Sequence, residues 1–183
     1  EMCIRDSLNT LYINQAGFRC SKLMVRELSA LFRSVDSDPS LGAAFFGDDT
    51  AWIIIKRRNK IRQAVSLTFA EKSGLFHYYG GKDRPHDQNL KIELAAVMER
   101  LRNIAMSDDF LTTFANVAKN KTIIYYEDFM EDPHKSLNNI IMDLKLPFEI
   151  DKILLHNPKL KPTAQKQKKD IEKEFYSYLL RNS

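Results

Sequence analysis

Along this chain, short continuous apolar runs alternate with longer stretches whose apolar positions recur at helical spacing. Trp52 to Ile55 is the clearest short run: apolar throughout and largely β-branched, it reads as a strand buried on both faces. Thr122 to Tyr126 reads as a second strand and Thr10 to Ile13 as a shorter one. Ser21 suits an N-cap, with Leu23, Met24, Leu28, Leu31 and Phe32 behind it on one helix face. Asp36 to Gly47 is a loop punctuated by Pro39, Gly42 and Gly47. Asn59 suits the cap of a helix over Lys60 to Ser73. Leu90 to Ile104 predicts another helix, and Ser107 a cap for a further one over Asp108 to Ala118. Pro133 fits the first position of a helix whose stripe is Leu137, Ile140, Ile141 and Leu144. Lys159 to Lys173 is polar and basic, and Phe175 to Leu180 predicts a closing aromatic helix.

Strands alternating with helices imply a parallel sheet with helices on both faces, and such sheets bind ligands at the carboxyl ends of their strands. The expected fold is therefore α/β, a three-layer parallel sheet flanked by helices. Length changes little: 183 residues suit one domain. Residues 9–183 are expected to form it. Glu1 to Ser7 has neither pattern and resembles translated adapter sequence, so residues 1–8 are expected to be non-native or disordered and the natural N-terminus to be missing.

Composition excludes several classes. Hydrophobic residues at 44% and charged residues at 28% argue against wholesale disorder. Cys3 and Cys20 make neither a disulfide framework nor a zinc spacing, which points to a reducing cytoplasm. No apolar run approaches the roughly 20 residues that span a bilayer, and no signal-peptide pattern is present. The formal charge of +4 leans toward anionic ligands without indicating nucleic acid. Four histidines without paired spacing argue against a metal site.

The chemistry gathers after the best strand. Lys56, Arg57, Arg58, Lys60 and Arg62 follow its carboxyl end and flank a helix N-terminus, where free N–H groups and the dipole also favour an anion. Arginine adds a planar fork matched to phosphate oxygens. Ser66 lies seven residues past Asn59, almost two turns at ~3.6 residues each, and so shares the helix face of the cap. An anion site and a solvated charge cluster beside a buried strand both fit this pattern.

Arg58-Asn59, with Ser66 eight residues after the arginine, resembles the 3′-phosphate motif of sulfotransferases. The string from Lys56 to Ser66, with its double arginine and Gln-Ala-Val-Ser, is similar to the bacterial trehalose-2-sulfotransferase and nodulation-factor sulfotransferase branch. Gly17 to Met24 resembles that branch's Gly-x-Lys-Leu-Met segment, and Tyr126-Glu127-Asp128-Phe129 with Asp132-Pro133 its Tyr-Glu-Asp-Leu strand end. Gln165 to Tyr178 resembles its C-terminal polar helix.

The resemblance implies a P-loop-like sulfotransferase fold and transfer of a sulfuryl group from 3′-phosphoadenosine 5′-phosphosulfate (PAPS) to a hydroxyl of a carbohydrate or glycolipid, with no metal. It implies Arg58 and Ser66 on the 3′-phosphate, with Arg57 as a further cofactor contact and Lys22 near the acceptor or the pocket wall. The expected partners are a small-molecule or glycan acceptor, with no nucleic acid and no transmembrane segment; a homodimer is left open. None of the six glycines sits in the Ser/Thr-rich phosphosulfate loop of the family, so the first strand and that loop are expected to be missing and no catalytic base is assigned.

Other residues weigh less. His77 and His86 fall in a Gly-flanked loop, His134 and His156 near a helix start and a proline, and all four read as structural or exposed. Glu127-Asp128 reads as a capping pair rather than an acid/base pair. Lys161, Lys166, Lys168 and Lys169 read more readily as a solvated helix face than as a segment closing over a nucleotide, and least as an RNA-binding tail, because no aromatics interleave them. The rival functions are a P-loop-type small-molecule kinase, which needs a phosphate loop and ATP, and a non-catalytic anion-binding remnant.

Overall fold

Two apolar runs form the sheet. β1 (Trp52–Lys56) and β2 (Lys121–Tyr125) pair in parallel, with Trp52 opposite Lys121 and Lys56 opposite Tyr125. The computed structural model describes residues 21–25, 28, 46–74, 90–147 and 165–181. Parallel neighbours need a long crossover, and α1 (Lys60–Ser73) and α2 (Leu94–Val117) lie within it. After β2 come α3 (Tyr126–Glu131), α4 (Pro133–Asp143) and α5 (Gln165–Arg181).

Strand side chains alternate between faces. Trp52 and Ile54 point toward α2, where Ile54 is buried with Leu28, Phe114, Ala115 and Ala118. Trp52 meets Phe46 and Phe114 edge-on, with ring centroids 5.0 and 4.7 Å away. On the other face Thr122, paired with Ile53, donates to Asp143 Oδ2 of α4 at 2.6 Å. A second core joins three helices: Ala64, Val65 and Phe69 of α1, Val97 and Ile104 of α2, and Ile171 and Phe175 of α5. Arg100 Nε on Glu71 Oε2 at 2.7 Å ties α1 to α2 at the rim of that core.

Local chemistry sets the helix ends. Asn59 Oδ1 accepts from Arg62 N at 2.8 Å and caps α1, which stops at Gly74 in the left-handed region, φ 68°. Asp132 Oδ1 accepts from Lys135 N at 2.9 Å and caps α4, with Pro133 in the first turn.

The described residues give a mixed helix and strand structure with a small parallel sheet, in agreement with an α/β fold. Four sequence expectations need correction. β1 is buried on one face rather than both: Ile54 is buried, while Ile53 and Ile55 on the other face are exposed. Leu90–Ile104 and Asp108–Ala118 form one helix: Ser107 sits inside α2, because neither Gly nor Pro interrupts it and Asp108 is neutralised by lysines from β1 and α1. Tyr126 is the first residue of α3 rather than the last of β2. The basic stretch and the aromatic end form one helix, α5, whose buried Ile171 and Phe175 repeat at helical spacing. Thr10 to Ile13, Leu31, Phe32, His77 to Gln88 and His156 lie outside the described residues, as do Glu1 to Ser7. Among the described residues, no helix is long and apolar enough to cross a membrane.

Phe175 is fully buried among α1 and α2 side chains, so α5 is held mainly by its apolar face. Phe175→Ala is expected to cost about 3–5 kcal/mol in urea-induced unfolding, as deletion of a core aromatic does. Its exposed neighbour is the control: Tyr176→Ala should stay within about 0.5 kcal/mol of the parent.

Candidate functional site

The parallel register brings the carboxyl ends of β1 and β2 together, and the residues leaving each strand meet there. From β1 come Arg57, Arg58 and the cap Asn59; from β2 come Tyr125 and the first turn of α3. The fit between the two segments is residue by residue. The Arg58 guanidinium lies 4.1 Å from the Tyr125 ring centroid, and that of Arg57 lies 4.0 Å from the Tyr126 ring centroid. Glu127 accepts the backbone N–H of Arg58 at 3.1 and 3.2 Å and that of Asn59 at 3.3 Å. Asp128 receives both forks of Arg58, Nη1 on Oδ1 and Nη2 on Oδ2, the latter at 2.7 Å.

These contacts set the acidities. Burial alone would raise the Glu127 carboxyl, but backbone hydrogen bonds from Arg58, from its own amide and from Asn59, with the charge of Arg57, hold it below its ordinary value. The hydrogen bond from Arg58, with the charges of Arg58 and Lys135, holds Asp128 low as well.

α5 supplies a second wall. Asn59 Nδ2 donates to Glu172 Oε1 at 3.0 Å, so the cap residue also anchors α5. One helical turn earlier, Lys168 Nζ donates to Ser66 Oγ at 3.2 Å and stands 5.1 Å from the Phe69 ring centroid. Burial, then repulsion from Arg57 and Arg62, holds this ammonium below the usual lysine range. Lys168, Arg57 and Arg62 therefore share one electrostatic neighbourhood with the Ser66 hydroxyl in it. Neither Arg57 nor Arg62 has a carboxylate within ion-pair distance among the described residues.

The remaining lysines of the cluster serve another contact. Lys60 Nζ meets Asp108 Oδ1 at 2.6 Å; Lys56 Nζ lies 3.5 Å from Asp108 Oδ2 and donates to Thr112 Oγ1 at 2.8 Å. They fasten α2 to the strand end. Of the five cations read from the sequence, Arg58, Lys56 and Lys60 are paired with carboxylates, while Arg57 and Arg62 have none at ion-pair distance among the described residues.

The sequence-derived site residues are thus partly brought together. Ser66 sits with Lys168, and Arg57 is close enough to Lys168 to depress its basicity. Arg58 turns to Asp128. Lys22 is exposed, and among the described residues no hydrogen bond or ion pair joins it to this corner. His134 is exposed in the first turn of α4. The residue sequence reasoning underrated is Lys168, read as part of a solvated face. Ile171 and Phe175, three and seven residues on, mark a buried face, and they were the signal that Lys168 turns inward. Glu127 and Asp128 do hold a turn together, as a capping pair would, but the turn belongs to the neighbouring strand.

A basic corner at the carboxyl ends of parallel strands is where a sheet of this kind takes an anionic ligand. The family model described as Stf0 sulphotransferase matches residues 10–176. The chain belongs to this sulfotransferase family, of the trehalose-2-sulfotransferase type. A search of curated proteins and a search of solved structures each found no match.

The lowered basicity of Lys168 has a sign that can be checked. A lysine whose folded pKa lies below its unfolded value opposes folding while charged. That cost is fully present below the folded pKa and is relieved as pH rises toward the ordinary lysine value. Lys168→Met keeps the stem and removes the charge. It is expected to raise the melting temperature of the ligand-free protein at neutral pH and to abolish the gain in stability that the parent shows on going alkaline.

Proposed function

We propose that this chain binds PAPS through its 3′-phosphate at Ser66, Arg57, Arg58 and Lys168, and transfers the sulfuryl group to a hydroxyl of a carbohydrate or glycolipid. The observation that carries the reading is the meeting of Lys168 with Ser66 beside Arg57 and Arg62. Holding a half-buried lysine on this hydroxyl against repulsion from Arg57 and Arg62 is costly, and a phosphate dianion would offset the cost. The 3′-phosphate is what distinguishes PAPS from ATP, so a site for it selects the donor. Arg58 joins by exchange: its pair with Asp128 is exposed at both ends, and exposed ion pairs are weak enough to yield to a doubly charged phosphate. The planar fork that holds a carboxylate fits a phosphate equally well.

The reaction is an in-line displacement. The acceptor oxygen attacks sulfur, the bond from sulfur to the phosphate oxygen breaks, and 3′,5′-ADP leaves with the electron pair while the hydroxyl proton passes to a base. This chain's part is to fix the nucleotide end of the donor and offset the charge growing on the departing 3′,5′-ADP. Glu127 and Asp128 are poor bases for the proton, since the hydrogen bonds their oxygens already accept hold both carboxyls below their ordinary proton affinity. A three-layer sheet of the P-loop-like type, a donor site built from one domain and a cytoplasmic location accompany this reading.

Thermal stabilisation by 3′,5′-ADP, against 5′-AMP and ATP, tests it, because a ligand that binds only the folded state raises its melting temperature. 3′,5′-ADP should stabilise selectively. Ser66→Ala, Arg57→Ala and Lys168→Met should each weaken 3′,5′-ADP by roughly ten- to a hundredfold, the value of a hydrogen bond to a charged group. Their affinity for 5′-AMP should not change. Equal stabilisation by 3′,5′-ADP and 5′-AMP would remove the 3′-phosphate site, and preference for ATP would point to a kinase.

A further inference from the structure

The two segments at the strand ends form one unit: each residue from Tyr125 to Asp128 holds part of Arg57-Arg58-Asn59. Three of these contacts grip side chains, and side chains can rotate. The fourth differs, because Glu127 grips backbone. Its two carboxylate oxygens take the N–H of Arg58 and of Asn59, the last residues before α1. The turn that directs both guanidiniums, and starts the helix carrying Ser66, is therefore set by a carboxylate from the other strand.

An unbridged turn would leave these donors to water and let the arginine pair sample several directions. We infer that Glu127 is a positioning residue of the phosphate site, fixing the Arg58–Asn59 turn so that Arg57, Arg58 and the start of α1 are aligned before an anion arrives. The inference rests on the donor reading above. It also has a consequence for where the ligand sits. The N–H groups of residues 58 and 59 already serve Glu127, so the phosphate is gripped by side chains on the α1 face, Ser66 among them, rather than by these amides.

Charge complementarity supports this assignment. Glu127 lies beside Arg57 and under the Arg58 amide, and its hydrogen bonds together with the charge of Arg57 keep it ionised. It holds the turn without capturing either guanidinium: Arg58 goes to Asp128, and Arg57 stacks on Tyr126. A positioning group must behave in this way, since a carboxylate that neutralised Arg57 would compete with the phosphate.

The test compares Glu127→Ala and Glu127→Gln with the parent in the full chain, by calorimetric titration with 3′,5′-ADP and with 5′-AMP. Alignment of the arginines matters only to a 3′-phosphate. Glu127→Ala is expected to weaken 3′,5′-ADP at least about tenfold, the effect of one lost hydrogen bond to a charged group, with 5′-AMP unchanged. Glu127→Gln, which retains one carbonyl acceptor, should fall between Glu127→Ala and the parent. Equal weakening of both nucleotides, accompanied by a drop in melting temperature, would overturn the inference in favour of a merely structural role. A parent that does not prefer 3′,5′-ADP would instead sink the donor reading, and amide hydrogen exchange in the ligand-free chain would then decide about Glu127. Faster exchange at Arg58 and Asn59 in Glu127→Ala, with the interior of α1 unchanged, would uphold its hold on the turn; unchanged exchange would refute it.

Discussion

The corner depends on the parallel pairing of β1 with β2. Because the register sets Lys56 opposite Tyr125, the residues that leave the two strands emerge side by side and in step. Arg57, Arg58 and Asn59 then face Tyr125, Tyr126, Glu127 and Asp128 over a few ångströms. A slip of one residue would reverse the face of every side chain in β2 and dissolve this correspondence. Thr122, buried and bonded to Asp143 of α4, resists such a slip, because it would move to the opposite face. The pairing and packing of the strands thus set which charges meet.

Within that frame the cations divide by function. A cluster of five like charges would repel itself if left intact, and the fold resolves the problem selectively. Asp108 takes Lys56 and Lys60, which fastens the middle of α2 to the strand end. Asp128 takes Arg58 in an exposed pair that can be exchanged. Arg57 receives an aromatic face, which stabilises a guanidinium while leaving its charge unneutralised. Arg62, like Arg57, has no carboxylate at ion-pair distance among the described residues, and both repel Lys168 where it meets Ser66.

Much of this was legible in the sequence where the determinants are local. Asn59 before an apolar periodic run specifies a cap, and the interval to Ser66 places the two on one face whatever the rest of the chain does. Trp52 to Ile55 is apolar enough to be a strand on its own account. What the sequence hid is long-range. No local pattern says that Arg58 will choose Asp128, or that Lys60 will choose Asp108, because both choices depend on how strands and helices pack. Ser107 shows the converse error: its preference for caps is real, but it is weaker than the helix around it once Asp108 is neutralised. Lys168 was hidden for a similar reason. A basic stretch reads as solvated until its companions Ile171 and Phe175 are recognised as the buried face of the same helix.

That burial explains how an unfavourable lysine is tolerated. Lys168 is partly desolvated and repelled by Arg57 and Arg62, which disfavours its charged form. The side chains around it supply the opposing free energy: Phe175 is fully buried against α1, and Glu172 binds the cap residue Asn59. The same helix that carries the cost is therefore also anchored at the residue that starts α1. A phosphate entering beside Ser66 would convert the repulsion into attraction without moving α5, because the lysine is already held there. On the proposed donor reading, preorganisation of this kind exchanges some stability of the ligand-free protein for affinity, and it gives a helix distant in sequence from the arginine motif a reason to close on that motif's serine.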